Sequence, residues 1–158
     1  MAELQIGDVA PHFTNPTESQ DFTLSEHKGK NIVLFFYPKD DTPGCTLENI
    51  DFTALLPEFE AHNTILVGCS ADPVAKHAKF REKHDLKIIL LSDEDHETME
   101  AYGAWGEKKM YGKTFMGIKR TTFLIDENGK IAHIWRNVRA KGHAQKVLDK
   151  LIELENGA

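Results

Sequence analysis

The chain has 158 residues, of which 41% are hydrophobic and 28% charged, and its formal net charge is −6. This length is enough for a full hydrophobic core, so we predict a single domain spanning residues 1–158. The negative charge argues against nucleic acid or an anionic membrane surface as a partner. The sequence shows neither a run of ~18 apolar residues nor the pattern of a signal peptide, and we therefore expect a cytoplasmic protein.

The number and spacing of the cysteines limit which redox functions the chain can have. Cys45 and Cys69 are the only two cysteines, which is too few for a structural disulfide framework. Because there is no CxxC motif, a general disulfide oxidoreductase is disfavoured. The cysteines and the eight histidines show no zinc-ligand spacing, so we expect no metal and no cofactor. The histidines are interpreted as surface or packing residues.

The first half of the chain alternates predicted strands and helices. Pro57 is expected to kink or interrupt the first helix, and Asp72-Pro73 to cap and start the second. From apolar periodicity and turn residues, the predicted elements are short strands at Pro11–Thr14 and Phe22–Leu24, a strand at Asn31–Tyr37, a helix at Pro43–Leu56, a strand at Thr64–Ser70 and a helix reaching His84.

The second half ends with a hairpin and a helix. The predicted elements are a strand at Ile88–Leu91, a helix at Asp95–Tyr102, an irregular loop at Trp105–Gly117, a hairpin of Thr121–Ile125 and Ile131–Trp135 with an Asn-Gly turn, and a helix at His143–Leu154. Strands that alternate with helices predict an α/β fold with a mostly parallel sheet covered on both faces, to which the hairpin adds antiparallel strands. Ligands of such sheets bind beyond the carboxyl ends of the strands, where the loop after Phe36 lies.

That loop leads to Cys45. Thr42 is a good N-cap, and Pro43 suits the first helical position, where no backbone donor is needed. Gly44 and Cys45 then fall in the first turn, whose N–H groups have no partner within the helix. The sequence therefore predicts a thiol at the positive end of a helix, beside the end of a buried strand.

Three blocks of the sequence resemble one family of thiol enzymes. They are Pro38-x-x-x-Thr42-x-x-Cys45 within Tyr37–Thr46, the run Trp105–Gly112, and the run Gly117–Asp126. Over nearly its whole length the chain is similar to the peroxiredoxins, in particular to the bacterioferritin comigratory protein, or peroxiredoxin Q, subfamily. The resemblance implies a thioredoxin-like fold with an N-terminal β extension and a central mixed sheet flanked by helices. It also implies a thiol-dependent peroxidase that reduces hydrogen peroxide and organic hydroperoxides through a sulfenic acid on Cys45.

The reaction needs an ionised thiol and a cation. An unperturbed cysteine has a pKa near ~8.5, and lowering it to ~6 needs about 3.4 kcal/mol. A helix N-terminus supplies only ~0.3–1 kcal/mol, and by resemblance the missing cation is Arg120. Thr42 and the N–H groups of Gly44 and Cys45 are expected to align the peroxide and, with Arg120, to stabilise its leaving oxygen. Pro38 is expected to shield the thiolate and close the pocket wall.

The sequence departs from the subfamily at the resolving cysteine. Many members place it five residues after the peroxidatic cysteine, where this chain has Ile50, and others place it in the helix after the next strand, which has none here. Cys69 is the one remaining candidate, and a buried structural thiol is the preferred interpretation of it. We therefore expect a one-cysteine mechanism in which thioredoxin, glutaredoxin or glutathione reduces the sulfenic acid.

Structural roles are alternatives for several of these residues. If its role is only structural, Cys45 is an inert buried thiol. In the same way, Thr42 is only an N-cap, and Arg120 is a solvated turn residue. Glu48 either orients a neighbouring arginine or is a solvated helix residue. The alternative function is a thioredoxin-like redox sensor or relay, which passes its oxidation to a partner without fast turnover.

Overall fold

A computed structural model describes residues 3–157 of the chain. Met1, Ala2 and Ala158, which the single-domain prediction includes, lie outside the described residues. The elements in chain order are β1 (Thr14–Asn15), β2 (Phe22–Thr23), β3 (Asn31–Phe36), α1 (Pro43–Ala61), β4 (Thr64–Ser70), α2 (Val74–His84), β5 (Ile89–Ser92), α3 (Glu97–Ala101), β6 (Trp105–Met110), β7 (Lys113–Ile118), β8 (Thr121–Ile125), β9 (Ile131–Trp135) and α4 (His143–Glu155). Among residues 3–157, no helix is both long and apolar enough to cross a membrane.

Five strands form the central sheet, in the order β5-β4-β3-β8-β9. β3 and β4 are parallel, as are β4 and β5, because α1 and α2 return the chain to the same edge of the sheet. β8 runs antiparallel to β3, and β9 antiparallel to β8. The register places Phe36, at the carboxyl end of β3, beside Cys69 of β4 and Thr121 of β8. The start of β8 therefore meets the loop that leads from β3 to α1.

Alternate residues of β3 supply two separate cores, because successive side chains of a strand point to opposite faces. Val33 and Phe35 pack in the core that includes Phe52 of α1 and Val147 of α4. Leu34 and Phe36 pack in the core on the other face, together with aromatic side chains from the N-terminal segment and from the end of α3. The predicted mixed sheet, flanked by helices, is thus confirmed.

The short N-terminal strands form a β extension outside the central sheet. β1 and β2 pair with each other as a two-stranded ribbon. Before them, the Gly7 N–H donates to the Ile131 carbonyl (2.7 Å) and the Ala10 N–H to the Gly129 carbonyl (2.9 Å). These bonds hold the segment against the β8–β9 turn.

Most predicted bounds agree closely with the structure. β4 has the predicted bounds, β3 is one residue shorter, and α4 is one residue longer. β5 is shifted by one residue, and α3 is shorter than predicted at both ends. The predicted first strands are reduced to two residues each, and a 3-10 turn at Leu24–His27 follows the second.

Pro57 is expected from the sequence to kink or interrupt the first helix, and the interruption does not occur. α1 continues from Pro43 to Ala61 with Pro57 in its interior. Pro57 is exposed, so the carbonyl that its missing N–H leaves without a donor lies on the solvent side of the helix. Phe59, fully buried in the next half turn, anchors the helix beyond the proline.

The segment predicted as an irregular loop at Trp105–Gly117 is also different. It forms the antiparallel hairpin of β6 and β7, in which Met110 pairs with Lys113. Tyr111 and Gly112 make the two-residue turn with φ values of 53° and 78°, the positive values that a tight hairpin requires. Most of the ribbon is exposed, so its strands lack the alternating apolar pattern from which a strand is predicted.

Candidate active site

Cys45 lies in the first turn of α1, just beyond the carboxyl end of β3. The Thr46 N–H is the donor of a 2.8 Å bond back to the Thr42 carbonyl, so the N–H groups of Gly44 and Cys45 belong to the unpaired start of the helix. Cys45 is only 1% exposed. Asn49, one turn later, donates to the Cys45 carbonyl at 2.8 Å and fixes the backbone at this position.

Arg120 meets the sulfur of Cys45. Its Nη2 lies 3.3 Å from Cys45 Sγ, and its Nη1 lies 2.6 Å from Glu48 Oε1. The sheet explains this approach, since Arg120 directly precedes β8, whose first residue pairs with Phe36 at the end of β3. The Val138 N–H binds the Arg120 carbonyl at 3.1 Å and holds its main chain.

Gly44 makes room for the guanidinium. A Cβ atom at this position would lie 3.3 Å from Arg120 Nη2, closer than an ordinary van der Waals contact. A side chain at position 44 would therefore press on the group that contacts Cys45.

Glu48 is buried beside Arg120. Of the two alternatives for this residue, the structure shows the one in which it contacts and orients the arginine. Burial raises the pKa of Glu48 to about 7, while Arg120 acts in the opposite direction. Its second oxygen, Oε2, is buried without a hydrogen-bond partner among the described residues. Burial acts to lower the pKa of Arg120, but Glu48 and Cys45 raise it above its usual value, so the guanidinium stays charged.

Thr42 occupies the N-cap position, but its side chain does not cap the helix, which corrects that expectation. The residue has the extended backbone of an N-cap, yet its hydroxyl donates to the Lys39 carbonyl at 2.8 Å. The hydroxyl hydrogen is thus engaged within the loop, and the oxygen keeps its lone pairs for another donor. Pro38, half-buried, begins the same loop directly after β3.

Cys69 lies across the sheet from Cys45. It is fully buried in the core that contains Leu34 and Phe36, whereas Cys45 belongs to the core on the opposite face. Burial, and secondly the negative charge of Asp93, raise the pKa of the Cys69 thiol well above its usual value. Both cysteines are free.

Sequence reasoning missed a buried polar group next to this loop. Asp40, Asp72 and His77 are all buried, and their ligand-type atoms lie within 4.8 Å of one another. Direct hydrogen bonds already join them, since His77 Nδ1 lies 2.6 Å from Asp40 Oδ2 and the Asp40 N–H donates to Asp72 Oδ2 at 2.7 Å. His77 is therefore part of a hydrogen-bond network, not a simple packing residue. Asp72 also does not cap α2 with its side chain, which corrects that expectation.

The comparisons with known proteins point to one family. The AhpC/TSA family model matches residues 6–134. Peroxiredoxin Bcp of Bacillus subtilis is 43% identical over 152 residues, which cover 96% of this chain and 97% of the relative. The structure of a cysteine-to-serine mutant of PrxQ from Xylella fastidiosa has a TM-score of 0.91 and 38% identity, covering 98% of this chain and 99% of that one.

A third relative is the bacterioferritin comigratory protein of Xanthomonas campestris, whose structure was studied for alkyl peroxide reduction activity. Its TM-score is 0.86 and its identity 38%, over 97% of this chain and 98% of that one. These likenesses confirm the thioredoxin-like fold expected from the sequence. The chain therefore belongs to the AhpC/TSA family, within its Bcp and peroxiredoxin Q group, and is a thiol-dependent peroxidase with a peroxide as substrate and a thiol as reductant.

Proposed function

We propose that Cys45 is the residue that attacks the peroxide. The observation that carries this proposal is the 3.3 Å contact between Cys45 Sγ and Arg120 Nη2 at the first turn of a helix. The thiolate is the reactive form of a cysteine, and a guanidinium at this distance favours it by Coulomb attraction in a site from which water is largely excluded. Cys69 has no comparable support, because burial and Asp93 both raise the pKa of its thiol.

The first step breaks the O–O bond. The Cys45 sulfur takes one peroxide oxygen and becomes a sulfenic acid, while the other oxygen leaves with the bonding electrons and is protonated to water or an alcohol. Arg120 and the free N–H groups of Gly44 and Cys45 are the donors that stabilise the developing negative charge. These groups are fixed before the substrate arrives, so they need no reorganisation during the reaction.

Thr42 orients the substrate in this proposal. Its hydroxyl hydrogen is donated to the Lys39 carbonyl, so its oxygen is left to accept a hydrogen bond from the O–H of the peroxide. This refines the role expected from the sequence, since Thr42 acts as an acceptor from the substrate and not as a donor to the leaving oxygen. Pro38 completes the wall of the pocket.

The second half of the cycle uses an external thiol. The position of Cys69 across the sheet supports a one-cysteine mechanism, because a disulfide needs Cα atoms within about 7 Å and suitably directed side chains. A thiolate attacks the Cys45 sulfenic acid and releases hydroxide, and a second thiol then displaces Cys45 from the mixed disulfide. The sum is the oxidation of two thiols to one disulfide for each peroxide reduced.

Substrates, reductant and location extend this proposal. The alkyl peroxide activity studied in the Xanthomonas relative supports organic hydroperoxides as substrates beside hydrogen peroxide. Thioredoxin, glutaredoxin or glutathione would serve as the reductant, which suits a cytoplasmic location with its pool of reduced thiols. The net charge of −6 argues against nucleic acid or an anionic membrane as a partner. We also propose that the chain folds as one domain.

The test is peroxide consumption with excess dithiothreitol. We expect turnover by the wild type, its complete loss in Cys45→Ser, and rates within about twofold of wild type in Cys69→Ala, since a buried thiol without a cation is unreactive. Stoichiometric oxidation of Cys45 without turnover would instead indicate a redox relay. An intramolecular Cys45–Cys69 disulfide, detected by mass spectrometry without reduction, would contradict the one-cysteine mechanism.

A further inference from the structure

Asp40 and His77 form a buried hydrogen-bonded pair beside the active-site loop. Both side chains are fully buried, and His77 Nδ1 lies 2.6 Å from Asp40 Oδ2. His77 Nε2 lies 2.9 Å from the carbonyl of Leu91, and the Tyr37 hydroxyl donates to Asp40 Oδ1 at 2.6 Å. A carbonyl only accepts, so His77 Nε2 is the donor to Leu91, while Nδ1 faces the Asp40 carboxyl group. We call these four partners the loop latch.

The loop latch connects elements that are distant in sequence. Asp40 belongs to the loop between β3 and α1, His77 to the first turn of α2, and Leu91 to β5. Burying polar side chains is costly unless their hydrogen bonds are made, and apolar side chains of similar size would hold α2 on the sheet equally well. What the hydrogen-bonded pair adds is direction, because each hydrogen bond fixes the orientation of the group it contacts.

The oriented group is the peptide unit that joins Lys39 to Asp40. Its N–H donates to Asp72 Oδ2 at 2.7 Å, and its carbonyl accepts the Thr42 hydroxyl at 2.8 Å. Asp72 is itself held by the Ser70 hydroxyl at 2.7 Å and by Lys76 at 3.0 Å. The peptide is thus held on both sides, by Asp72 at its N–H and by the Thr42 hydroxyl at its carbonyl, while the loop latch holds the Asp40 side chain that follows it.

We propose that Asp40 and His77 are positioning residues for the peroxide step, which orient the Thr42 hydroxyl through the Lys39–Asp40 peptide. This rests on the proposed function, in which Thr42 accepts a hydrogen bond from the peroxide. The loop latch does not touch the substrate. It fixes the direction in which the hydroxyl hydrogen is donated, and therefore the direction in which the lone pairs of Thr42 face the site.

A double-mutant cycle between Asp40→Ala and Thr42→Val tests the proposal. The measurement is the rate at which hydrogen peroxide oxidises reduced Cys45, followed by quenched flow and mass spectrometry. We expect each single substitution to slow oxidation by about 10-fold, and Thr42→Val to cost less than about threefold in the Asp40→Ala background. A role in stability alone predicts independent effects, so additive losses in rate would overturn the proposal.

Two further variants give the controls. Asp40→Asn can keep every hydrogen bond, because its amide can donate to a neutral His77, and we expect it to restore the rate to within about threefold of wild type. Asp41→Asn removes the exposed pairs of the same loop with Lys83 and His84, at 2.7 and 2.9 Å, and we expect less than about a twofold effect. An Asp41→Asn loss equal to that of Asp40→Ala would overturn the specific role of the loop latch.

The reduction step separates this proposal from the proposed function. Reduction of oxidised Cys45 by dithiothreitol does not use Thr42, so we expect Asp40→Ala to leave its rate within about twofold. If Asp40→Ala does not fold, Asp72→Ala removes the acceptor of the Asp40 N–H at a less buried site and enters the same cycle. Activity that survives Cys45→Ser would refute the proposed function, whereas loss in Cys45→Ser with an additive cycle would refute the loop latch alone.

Discussion

The two cysteines of this chain are similarly buried, but the charged groups that act on them have opposite signs. Cys45 is 1% exposed and Cys69 is fully buried, so exposure does not distinguish them. Cys45 lies 3.3 Å from a guanidinium at the start of a helix, whereas Cys69 lies within a strand, where burial and Asp93 raise the pKa of its thiol. We therefore propose that the charge beside a buried thiol, and not its contact with solvent, separates the reactive cysteine from the inert one.

The two sides of the sheet also differ in the partners of their buried and loop carboxylates. On the Cys45 side, the loop after β3 carries two carboxylates, and each is paired with a cationic or hydrogen-bonding partner on α2. These pairings engage the negative charges of the loop that leads to Cys45. On the Cys69 side, the buried carboxylate of Asp93 accepts the N–H groups of Thr98 and Met99. Its negative charge, together with burial, raises the pKa of the Cys69 thiol and so opposes the ionised form.

Removing the guanidinium of Arg120 should make Cys45 as unreactive as we expect Cys69 to be. We expect Arg120→Met to lower kcat/KM for hydrogen peroxide by about 100-fold or more, which is the usual cost of losing one group that stabilises developing charge. Alkylation of Cys45 by iodoacetamide at neutral pH should slow in parallel. The double variant Arg120→Met/Glu48→Gln avoids leaving Glu48 buried without its partner, and should show the same loss.

Lys119→Met is the matched control for this change, because Lys119 is the adjacent cation and is exposed. It should keep kcat/KM within about twofold, as expected for a screened surface charge. If Arg120→Met retained more than a third of the wild-type rate, the charge comparison between the two cysteines would fail.

We expect the substitution of Thr42 to lower kcat/KM less than the substitution of Arg120 does. Thr42→Val keeps the shape of the side chain and removes the oxygen that accepts from the peroxide, so we expect kcat/KM to fall about 10-fold. Thr42→Ser keeps the hydroxyl and should stay within about threefold of wild type. Thr46→Val, one turn further along α1, is the control and should leave the rate unchanged. A loss in Thr42→Ser as large as in Thr42→Val would show that the methyl group, and not the hydroxyl, matters.

The sequence was informative wherever a pattern is local. The strand before Cys45, the proline at the first helical position and the family motif together indicated Cys45 and its loop as the candidate active site. Arg120 was found by resemblance, and the structure supplies the physical reason for its position. Because β8 runs antiparallel to β3, the residue before β8 reaches the carboxyl end of β3.

The parts that were missed depend on contacts between distant segments or on exposed backbone. His77 and Asp40 are 37 residues apart, and a histidine in the first turn of a helix carries no local sign of a buried partner. The β6–β7 ribbon is exposed, so no apolar alternation marks it as a hairpin. Pro57 is tolerated within α1 because it lies on the exposed side of the helix, which the sequence pattern around it did not indicate.

The pH dependence of stability set by Glu48 is the last test of this comparison, because Glu48 and Cys45 both contact the guanidinium of Arg120. The unfolded chain releases this proton near pH 4.5, whereas burial holds the folded pKa at about 7. Between these values the folded state binds more protons than the unfolded state, so rising pH lowers the free energy of unfolding. The contribution is complete below about pH 4.5 and lost above about pH 7.

Glu48→Gln does not titrate and so isolates this effect. From urea unfolding at pH 4.5, 6, 7.5 and 8.5, we expect wild type to lose stability relative to Glu48→Gln as the pH rises to about 7, and the difference then to stay level. The total is bounded by about 3 kcal/mol, since each pKa unit corresponds to ~1.36 kcal/mol. Glu58→Gln, which changes an exposed carboxyl group on the same helix into an amide, is the control variant. A wild-type advantage that grows with pH would mean that Arg120 overcomes the burial of Glu48, and that its charge is divided between Glu48 and Cys45 throughout.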